Sequence, residues 1–232
     1  MNFKPVFFAI AALVVLAACQ PKGSKTVTLN TENDSASYAL GVLIGQNNKQ
    51  NLDASPGAEN LDMNILINAF EKQVKGEESQ MDAEEARTVI QKFFEAVSAK
   101  EATKNAEEGT AFLAANKDKA GITTTESGLQ YEILSEGNGA MPVDGQSVKC
   151  HYHGTLIDGT VFDSSVERGE PATFNVNQVI PGWTEALKLM PVGSKWKLYL
   201  PSELAYGERG AGQDIGPNTT LIFEVELLEI VQ

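Results

Sequence analysis

Cysteine is scarce in this sequence of 232 residues, which contains only Cys19 and Cys150. If Cys19 carries a covalent modification, as its sequence context indicates below, no intramolecular disulfide can form. The stability of the fold must then come from packing. The composition permits this, because 42% of the residues are hydrophobic and 21% are charged, proportions typical of folded proteins and not of disordered ones.

Positive charge is also scarce. Lysine and arginine together number 18, against 31 aspartates and glutamates, which gives a formal net charge of -13. This excess of negative charge argues against nucleic acid as a partner, and against docking on anionic lipid by charge alone. Acidity favours solubility but does not indicate a function.

The first apolar run of the sequence, from Val6 to Leu16, is too short to span a bilayer as a mature helix. It follows Lys4 and leads into the small residues and cysteine of Leu16-Ala17-Ala18-Cys19. This pattern resembles a bacterial lipoprotein signal with its lipobox, which implies that residues 1–18 are removed and that Cys19 is lipidated. An ordinary secretory signal with an incidental cysteine is the alternative.

An exported lipoprotein is expected in the cell envelope. Gln20 follows the cysteine, which is consistent with sorting to the outer membrane in some Gram-negative bacteria. We therefore expect a lipid-anchored protein at the outer membrane or in the periplasm of a Gram-negative bacterium. Residues 19–33 begin with a tract that has few apolar side chains to bury, and we predict a flexible tether there.

Apolar residues at helical spacing predict an all-α region over residues 34–120. Gly41 and Gly45 lie inside its first helical segment. Because a helical glycine costs about 1 kcal/mol relative to alanine, they predict that another helix crosses at close range. The region has too few apolar residues for a strong monomeric core, so we expect a homodimer of interlaced helices. A monomeric helical hairpin domain is the alternative.

The longest helix is predicted over residues 82–117. It begins with Asp82-Ala83-Glu84-Glu85, which resembles a capping box, and it could reach about 50 Å. Residues 98–108 include no large apolar residue, and a helix that is polar all round usually bridges two bodies through solvent. We therefore expect a linker helix that docks at its far end through Phe112 and Leu113.

From Ser127 onward the hydrophobic period changes from helical to alternating. Asp158-Gly159 is a strong hairpin signal, and a single short helix fits from Trp183 to Met190. Residues 121–232 are therefore predicted to form an α+β domain, an antiparallel sheet wrapped on one short helix. The alternating segments that predict strands are 129–133, 148–152, 160–163, 196–200 and 221–227.

Several ordered segments of this half resemble the FKBP-type peptidyl-prolyl cis-trans isomerases. They are VKCHYHGTLIDGTVFDSS, VIPGWTEALKLMPVGSKWKLYLPSELAYG and LIFEVELLEI, and the resemblance covers about residues 122–232. The N-terminal half, with SYALGVLIGQ and the long helix, resembles the dimerisation region of the macrophage-infectivity-potentiator branch of the bacterial members. The resemblance implies an FKBP-like fold and a homodimer. It also implies unfolded or proline-containing exported polypeptides as substrates, without a metal or cofactor.

Isomerisation of a prolyl bond requires twisting of the amide, whose resonance is lost on the way. Such a site needs an apolar slot with few waters and a hydrogen bond that suits the twisted state. By resemblance, Trp183 would be the floor under the prolyl ring, Tyr206 would offer its hydroxyl to a ligand carbonyl, and Asp163 would lie at the pocket edge. The remaining walls would be Tyr152, Phe162, Val179, Ile180 (also through its backbone N–H), Ile215 and Phe223.

Several of these residues would be equally typical of a hydrophobic core that has no binding role. Phe223 and Val179 are apolar residues of the kind that usually serve packing, and a Trp such as Trp183 more often fills a core than floors a pocket. His151 and His153 flank Tyr152, but neighbouring strand positions alternate faces, so we expect no metal site there.

The sequence departs from the family pattern at one wall. Ala172 follows Pro171, where many well-known eukaryotic members have an aromatic residue, and the loop from Phe174 to Val179 is shorter by about two residues. Both changes open the pocket beside Ala172, which we assign to substrate binding. The resemblance implies macrolide inhibitors such as FK506 and rapamycin as ligands, but substrate preference and macrolide affinity do not follow from it.

The expected function is acceleration of Xaa-Pro isomerisation in exported proteins, which assists folding in the cell envelope. Two alternatives remain open at this point: an isomerase-independent holdase chaperone, and a surface interaction lipoprotein that uses the same fold. Changes in the pocket would leave the cellular function of either alternative untouched.

Overall fold

The computed structural model describes residues 26–231. The predicted signal sequence, the predicted lipidation site at Cys19 and residues 19–25 of the predicted tether lie outside the described residues. The chain divides into two compact units between Lys49 and Gln50. Within residues 26–231, none of the helices combines the length and the apolar character needed to cross a membrane.

Three helices precede the sheet: α1 (Glu32–Asp53), α2 (Met63–Lys75) and α3 (Ala83–Asn116). Helix α1 begins at Glu32, so residues 32 and 33 are helical and do not belong to a tether. A local cap explains this start, since Asp34 Oδ2 accepts a hydrogen bond from the backbone N–H of Thr31 at 2.9 Å. Thr31 Oγ1 in turn accepts from the N–H of Asp34 at 3.1 Å.

Side-chain caps also define the two later helices. Asp62 accepts from the N–H of Asn64 at 2.8 Å before α2, and Asp82 accepts from the N–H of Glu84 at 2.9 Å before α3. Helix α2 ends at Gly76, whose φ of 69° is left-handed and suits glycine. Polar caps and a terminal glycine thus set the helix boundaries.

Residues 98–108 of α3 were expected to bridge through solvent, but Asn105 Nδ2 donates to the carbonyl of Pro217 at 2.9 Å and Asn218 Nδ2 donates to the carbonyl of Ala102 at 3.4 Å. The far end of α3 contacts the sheet, as the sequence predicted. Gly109 and Asn116 of α3 are buried, and Phe112 lies 6.0 Å from the ring of Tyr199 in the sheet. Gln130 accepts from Asn116 Nδ2 at 2.9 Å. Small and polar residues make much of this contact, so the pattern of large apolar residues did not indicate it.

The C-terminal half forms a seven-stranded antiparallel sheet in the order β1-β2-β6-β7-β3-β4, with β5 paired to β3. The long strand β3 pairs with β7 along one edge, and with β5 and β4 in succession along the other. The strands are β1 (Ile122–Thr124), β2 (Gln130–Ser135), β3 (Ser147–Leu156), β4 (Val161–Ser164), β5 (Ala172–Asn175), β6 (Lys195–Leu200) and β7 (Leu221–Val231).

Two helices accompany the sheet, where the sequence predicted one. Helix α5 (Pro181–Leu189) is the predicted short helix, and it buries Trp183 and Leu187 in the core. Helix α4 (Ser165–Arg168) is a single turn, capped by the Ser164 hydroxyl and ended by a left-handed Gly169. Four residues are too few to show helical periodicity, so α4 was missed. The α+β fold, a helical region followed by an antiparallel sheet with a short helix, is confirmed.

Candidate active site

Helix α5 places Trp183 where a loop becomes a helix. Ile180 precedes the helix with φ −58° and ψ 149°, and Pro181 occupies the first turn, where its missing N–H is not needed. A Cβ on Gly182 would lie 2.6 Å from Cδ2 of Leu200 on β6, so only glycine fits there. The helix therefore lies tightly on the sheet, and Trp183 is only 4% exposed.

Trp183 is the centre of an aromatic cluster that also includes Tyr152, Phe162, Phe174 and Phe223. Its ring meets those of Tyr152, Phe174 and Phe223 in T-shaped contacts, with centroids 5.5, 5.4 and 5.3 Å away. Phe223 meets Phe162 in the same way at 5.4 Å. Edge-to-face contacts are favourable for aromatic quadrupoles. The five rings belong to β3, β4, β5, β7 and α5, so tertiary structure assembles them.

Gly154 on β3 makes room for two of these rings. A Cβ at this position would lie 2.7 Å from Cζ of Phe162 and 3.0 Å from Cε1 of Phe223. Real Cβ contacts are almost never so short, so any side chain here would displace a ring. Sequence reasoning did not identify this requirement.

Aliphatic residues extend the apolar surface beside the aromatic cluster. Ile215 is 8% exposed, and the partly buried Ala172, Val179 and Ile180 pack against the same core. Ala172 lies on β5 opposite Cys150 of β3. The backbone N–H of Ile180 donates to no backbone or side-chain group within residues 26–231, so it is available to a ligand.

A polar group of three side chains lies at the edge of the cluster. The Tyr152 hydroxyl donates to Asp163 Oδ2 at 2.5 Å, and Arg168 Nη2 donates to the Tyr152 oxygen at 2.7 Å. Arg168 Nη1 also donates to Asp163, and its guanidinium carbon lies 5.5 Å from the centre of the Tyr152 ring. Helix α4 thus supplies a cation that pairs with the carboxylate of Asp163.

The environment shifts the pKa values of Asp163, Tyr152 and Tyr206 at this edge. Burial raises the pKa of Asp163, but hydrogen bonds from Tyr152 and Arg168 outweigh it, so the net pKa is lowered. Burial, followed by the hydrogen bond to Asp163, raises the pKa of Tyr152. Burial and the charge of Asp163 raise the pKa of Tyr206. At neutral pH Asp163 is therefore ionised while both phenols keep their protons.

Tyr206 lies at the rim, just before the 3₁₀ turn Gly207–Arg209, and is 40% exposed. No group within residues 26–231 forms a hydrogen bond with its hydroxyl. A protonated and unpaired phenol of this kind can donate to a ligand.

Besides Gly154, the sequence analysis missed two side chains of the candidate site, Phe174 and Arg168. Phe174 is half-buried and shares its strand face with Ala172, so alternation along β5 could have indicated it. Arg168 lies on the one-turn helix α4, and no sequence pattern links it to Tyr152 or Asp163. The predicted residues from 152 to 223 all belong to the C-terminal half, on the sheet, its loops and helix α5, whereas Cys19 lies outside the described part of the chain.

Two family models match the chain. The model described as FKBP-type peptidyl-prolyl cis-trans isomerase matches residues 139–228. The model described as the domain amino terminal to FKBP-type peptidyl-prolyl isomerase matches residues 33–133.

Individual relatives cover nearly the whole chain. It is 43% identical over 238 residues to outer membrane protein MIP of Legionella longbeachae, across 99% of this chain and 98% of the relative. It is 46% identical over 209 residues to the FKBP-type 22 kDa peptidyl-prolyl cis-trans isomerase of Escherichia coli K12, across 89% and 99%. The crystal structure of FkpA from Escherichia coli aligns with a TM-score of 0.65 at 35% identity, over 88% of this chain and 98% of that one.

The C-terminal half is an antiparallel sheet wrapped on a short helix, and the matching family model and relatives define its class as a peptidyl-prolyl isomerase. The chain belongs to the FKBP-type peptidyl-prolyl cis-trans isomerase family. Its activity is the acceleration of cis-trans isomerisation at Xaa-Pro bonds. The family and the activity that the sequence predicted are confirmed.

Proposed function

We propose that the aromatic cluster binds the prolyl ring of the substrate, with Trp183 as its floor. The edge-to-face contacts of Trp183 with three other rings carry this proposal, because they hold the indole rigidly beside the rim residues. Phe162 and Phe223 form one aromatic wall, while the half-buried Val179 and Ala172 supply aliphatic surface. Ile215 completes the lining.

Such a site accelerates isomerisation by binding the twisted amide more tightly than the planar one. The uncatalysed rotation takes tens to hundreds of seconds, over a barrier of about 20 kcal/mol. When the amide twists, the carbonyl and nitrogen lose their resonance and the amide is less polar. An apolar surface with few waters therefore favours the twisted state over the planar one.

Two hydrogen-bond donors at the rim fix the substrate. The Tyr206 hydroxyl and the Ile180 N–H both lack partners within the described part of the chain. Ile180 packs against the apolar core, and Tyr206 lies close enough to Asp163 that burial, together with this charge, raises the Tyr206 pKa. In this proposal they hold carbonyl groups on either side of the prolyl ring, so that the remaining rotation is about the prolyl bond. Asp163 holds Tyr152 in place and presents a fixed negative charge at the edge.

A protease-free isomerisation assay on Xaa-Pro peptides tests these roles. Phe162→Ala and Tyr206→Phe should each reduce kcat/KM by about tenfold or more, since the loss of about 1.4 kcal/mol of transition-state stabilisation slows the reaction tenfold. Val166→Ala, an exposed residue on α4, is the control and should retain full activity. Full activity in both pocket variants would disprove the assignment. Aggregation suppression that survives in inactive variants would show a separate holdase function.

We also propose that the helical half forms a homodimer. Ile67 and Val74 of α2 and Leu43 of α1 are more than half exposed in the single chain. Apolar faces of this kind usually mark a contact with another protein. A second copy is the occupant we assign, because the composition of this half leaves too little apolar surface for a monomeric core. Sedimentation equilibrium should give twice the chain mass.

We propose that the protein is anchored in the Gram-negative cell envelope by a lipid on Cys19 and acts on exported polypeptides. The lipobox pattern supports this location, as does the printed name of the Legionella longbeachae relative, an outer membrane protein. Metabolic labelling with a palmitate analogue should mark the wild-type chain and not a Cys19→Ala variant. Labelling of neither form, together with release of the protein from membranes, would favour an ordinary secretory signal.

A further inference from the structure

The second half of α3 is hydrogen-bonded to the loop that carries Ile215, one of the assigned pocket residues. This loop, residues 215–220, follows a short antiparallel bridge between Ala211 and Ile215 and runs into β7. Asn105 Nδ2 donates to the carbonyl of Pro217 at 2.9 Å and lies 3.2 Å from Thr219 Oγ1. In return, Asn218 Nδ2 donates to the carbonyl of Ala102 at 3.4 Å. Three hydrogen bonds therefore join one turn of the helix to this loop.

The helix and the loop also fit closely in shape. A Cβ on Gly109 would lie 2.3 Å from Thr220 Oγ1, and a Cβ on Gly216 would lie 2.4 Å from Glu101 Oε1. Neither glycine has a positive φ, so the close approach, not the backbone conformation, favours glycine. The requirement is stricter at Gly109, which faces the buried Thr220, than at Gly216, where the flexible Glu101 carboxylate can move aside.

The same loop is linked to the turn after Tyr206. Asn218 is the only non-glycine residue within residues 26–231 with a positive φ, at 56°. In this left-handed conformation its backbone N–H donates to the carbonyl of Gly207 at 2.8 Å. Left-handed conformations at non-glycine residues persist where surrounding contacts impose them. Asn218 therefore connects α3 on one side with the residue next to Tyr206 on the other.

We propose that Asn105 is a positioning residue for the isomerase site, and that α3 sets the placement of Ile215 and Tyr206 through the 215–220 loop. This inference rests on the pocket assigned above. The catalytic site would then depend on a part of the helical half of the chain, although none of the pocket residues assigned above lies on α3. Separation of the helix from the loop would slow catalysis without unfolding the sheet.

Substitutions at Asn105 in the full chain test this role. Asn105→Ala removes the two donated hydrogen bonds, and Asn105→Asp keeps the shape but replaces the donor with a carboxylate facing the Pro217 carbonyl. Thr103→Ala is the matched control, because Thr103 is exposed and its hydroxyl donates to Ala99 within the same helix. For both Asn105 variants we expect kcat to fall about three- to tenfold with KM changed less than twofold, since small misplacements of site groups are costly. The melting temperature should shift by no more than it does in Thr103→Ala.

A double-mutant cycle distinguishes a positioning role of Asn105 from a general contribution to stability. If Asn105 acts through the rim of the pocket, Asn105→Ala should have little further effect on kcat in a Tyr206→Phe chain. Full additivity, or wild-type kcat in both Asn105 variants, would overturn the inference. A Tyr206→Phe chain with wild-type activity would instead contradict the proposed pocket, so the two failures can be told apart.

Discussion

The Tyr152 hydroxyl donates a hydrogen bond to Asp163 Oδ2 at 2.5 Å, and Arg168 donates to both groups. This arrangement joins the central strand β3, the hairpin partner β4 and the one-turn helix α4 at the edge of the aromatic cluster. It also explains why a carboxylate can remain ionised beside an apolar surface, because a cation and a phenol both stabilise its charge.

The first prediction concerns the acid limit of activity. The lowered pKa of Asp163 keeps it ionised, so kcat/KM should be constant from pH 8 down to about 5, above its ordinary pKa near 4. Its contribution to stability is present above the unfolded-state pKa and is lost as pH falls through the lower folded-state value. Arg168→Met should raise the Asp163 pKa, so that kcat/KM and stability should both begin to fall at a higher pH. An NMR titration of the carboxyl carbon measures this shift.

Arg87→Met is the control for that experiment. Arg87 also pairs with a carboxylate, Glu84, but on the exposed surface of α3. Its replacement should leave the Asp163 titration unchanged. The prediction fails if Arg168→Met leaves it unchanged as well.

The second prediction concerns Gly154. Gly154→Ala should lower the free energy of unfolding by about 1–3 kcal/mol, since the new methyl group overlaps Phe162 and Phe223. Because those rings line the proposed pocket, kcat/KM should fall in the same variant. Thr155→Ala, whose side chain points to the opposite sheet face, should have a smaller effect on activity. Chemical denaturation and the isomerase assay provide the two measurements, and an unchanged kcat/KM in a folded Gly154→Ala protein contradicts the prediction.

The third prediction concerns Cys150, which is buried on β3 and free of any disulfide. Burial raises the pKa of its thiol to about 12, so the reactive thiolate is almost absent at pH 8. In a Cys19→Ser chain, the reaction with a disulfide reagent should be at least about a hundredfold slower than for free cysteine. Addition of guanidinium chloride should restore the ordinary rate. Fast labelling of the folded chain would show that Cys150 is accessible.

The fourth prediction distinguishes a dimer from a monomer at Gly41. A Cβ on Gly41 meets no atom within 4 Å in the single chain. In a monomer, Gly41→Leu should therefore stabilise α1, by about 1 kcal/mol. In the proposed dimer, with a second helix crossing closely, it should instead weaken association, and sedimentation should detect a larger monomer fraction. Asn47→Leu on the same helix is the control. Stabilisation without any change in mass would contradict the interlaced dimer.

Helix boundaries and strand positions could be predicted because their signals are local. Asp62 and Asp82 mark helix starts, Gly76 marks an end, and alternation along β3 and β7 marks strands with one buried face. The fold class followed from these signals. The one-turn helix α4 could not be predicted, since its single turn has no periodicity, and the short strands β1 and β5 were not among the five predicted strands.

The candidate site was predicted in part, and only through the ordered segments that resemble the family. Periodicity could show that Phe223 and Val179 are apolar, but it could not distinguish a pocket wall from core. Phe174 and Arg168 were missed because their roles depend on neighbours that lie on other elements. The roles of the pocket residues remain predictions for the assays above.

The sequence by itself determined most of the elements, the class of fold and the family, because local propensity and hydrophobic period act over a few residues. Only the tertiary structure decided which groups meet. In the folded chain α3 contacts the 215–220 loop through Asn105 and Gly109, and strand β2 through Asn116. These residues are small or polar and carry no periodic apolar signal. The tertiary structure also placed Arg168 against Tyr152, 16 residues away in the chain. Contacts of this kind depend on the path of the whole chain, which no short segment specifies.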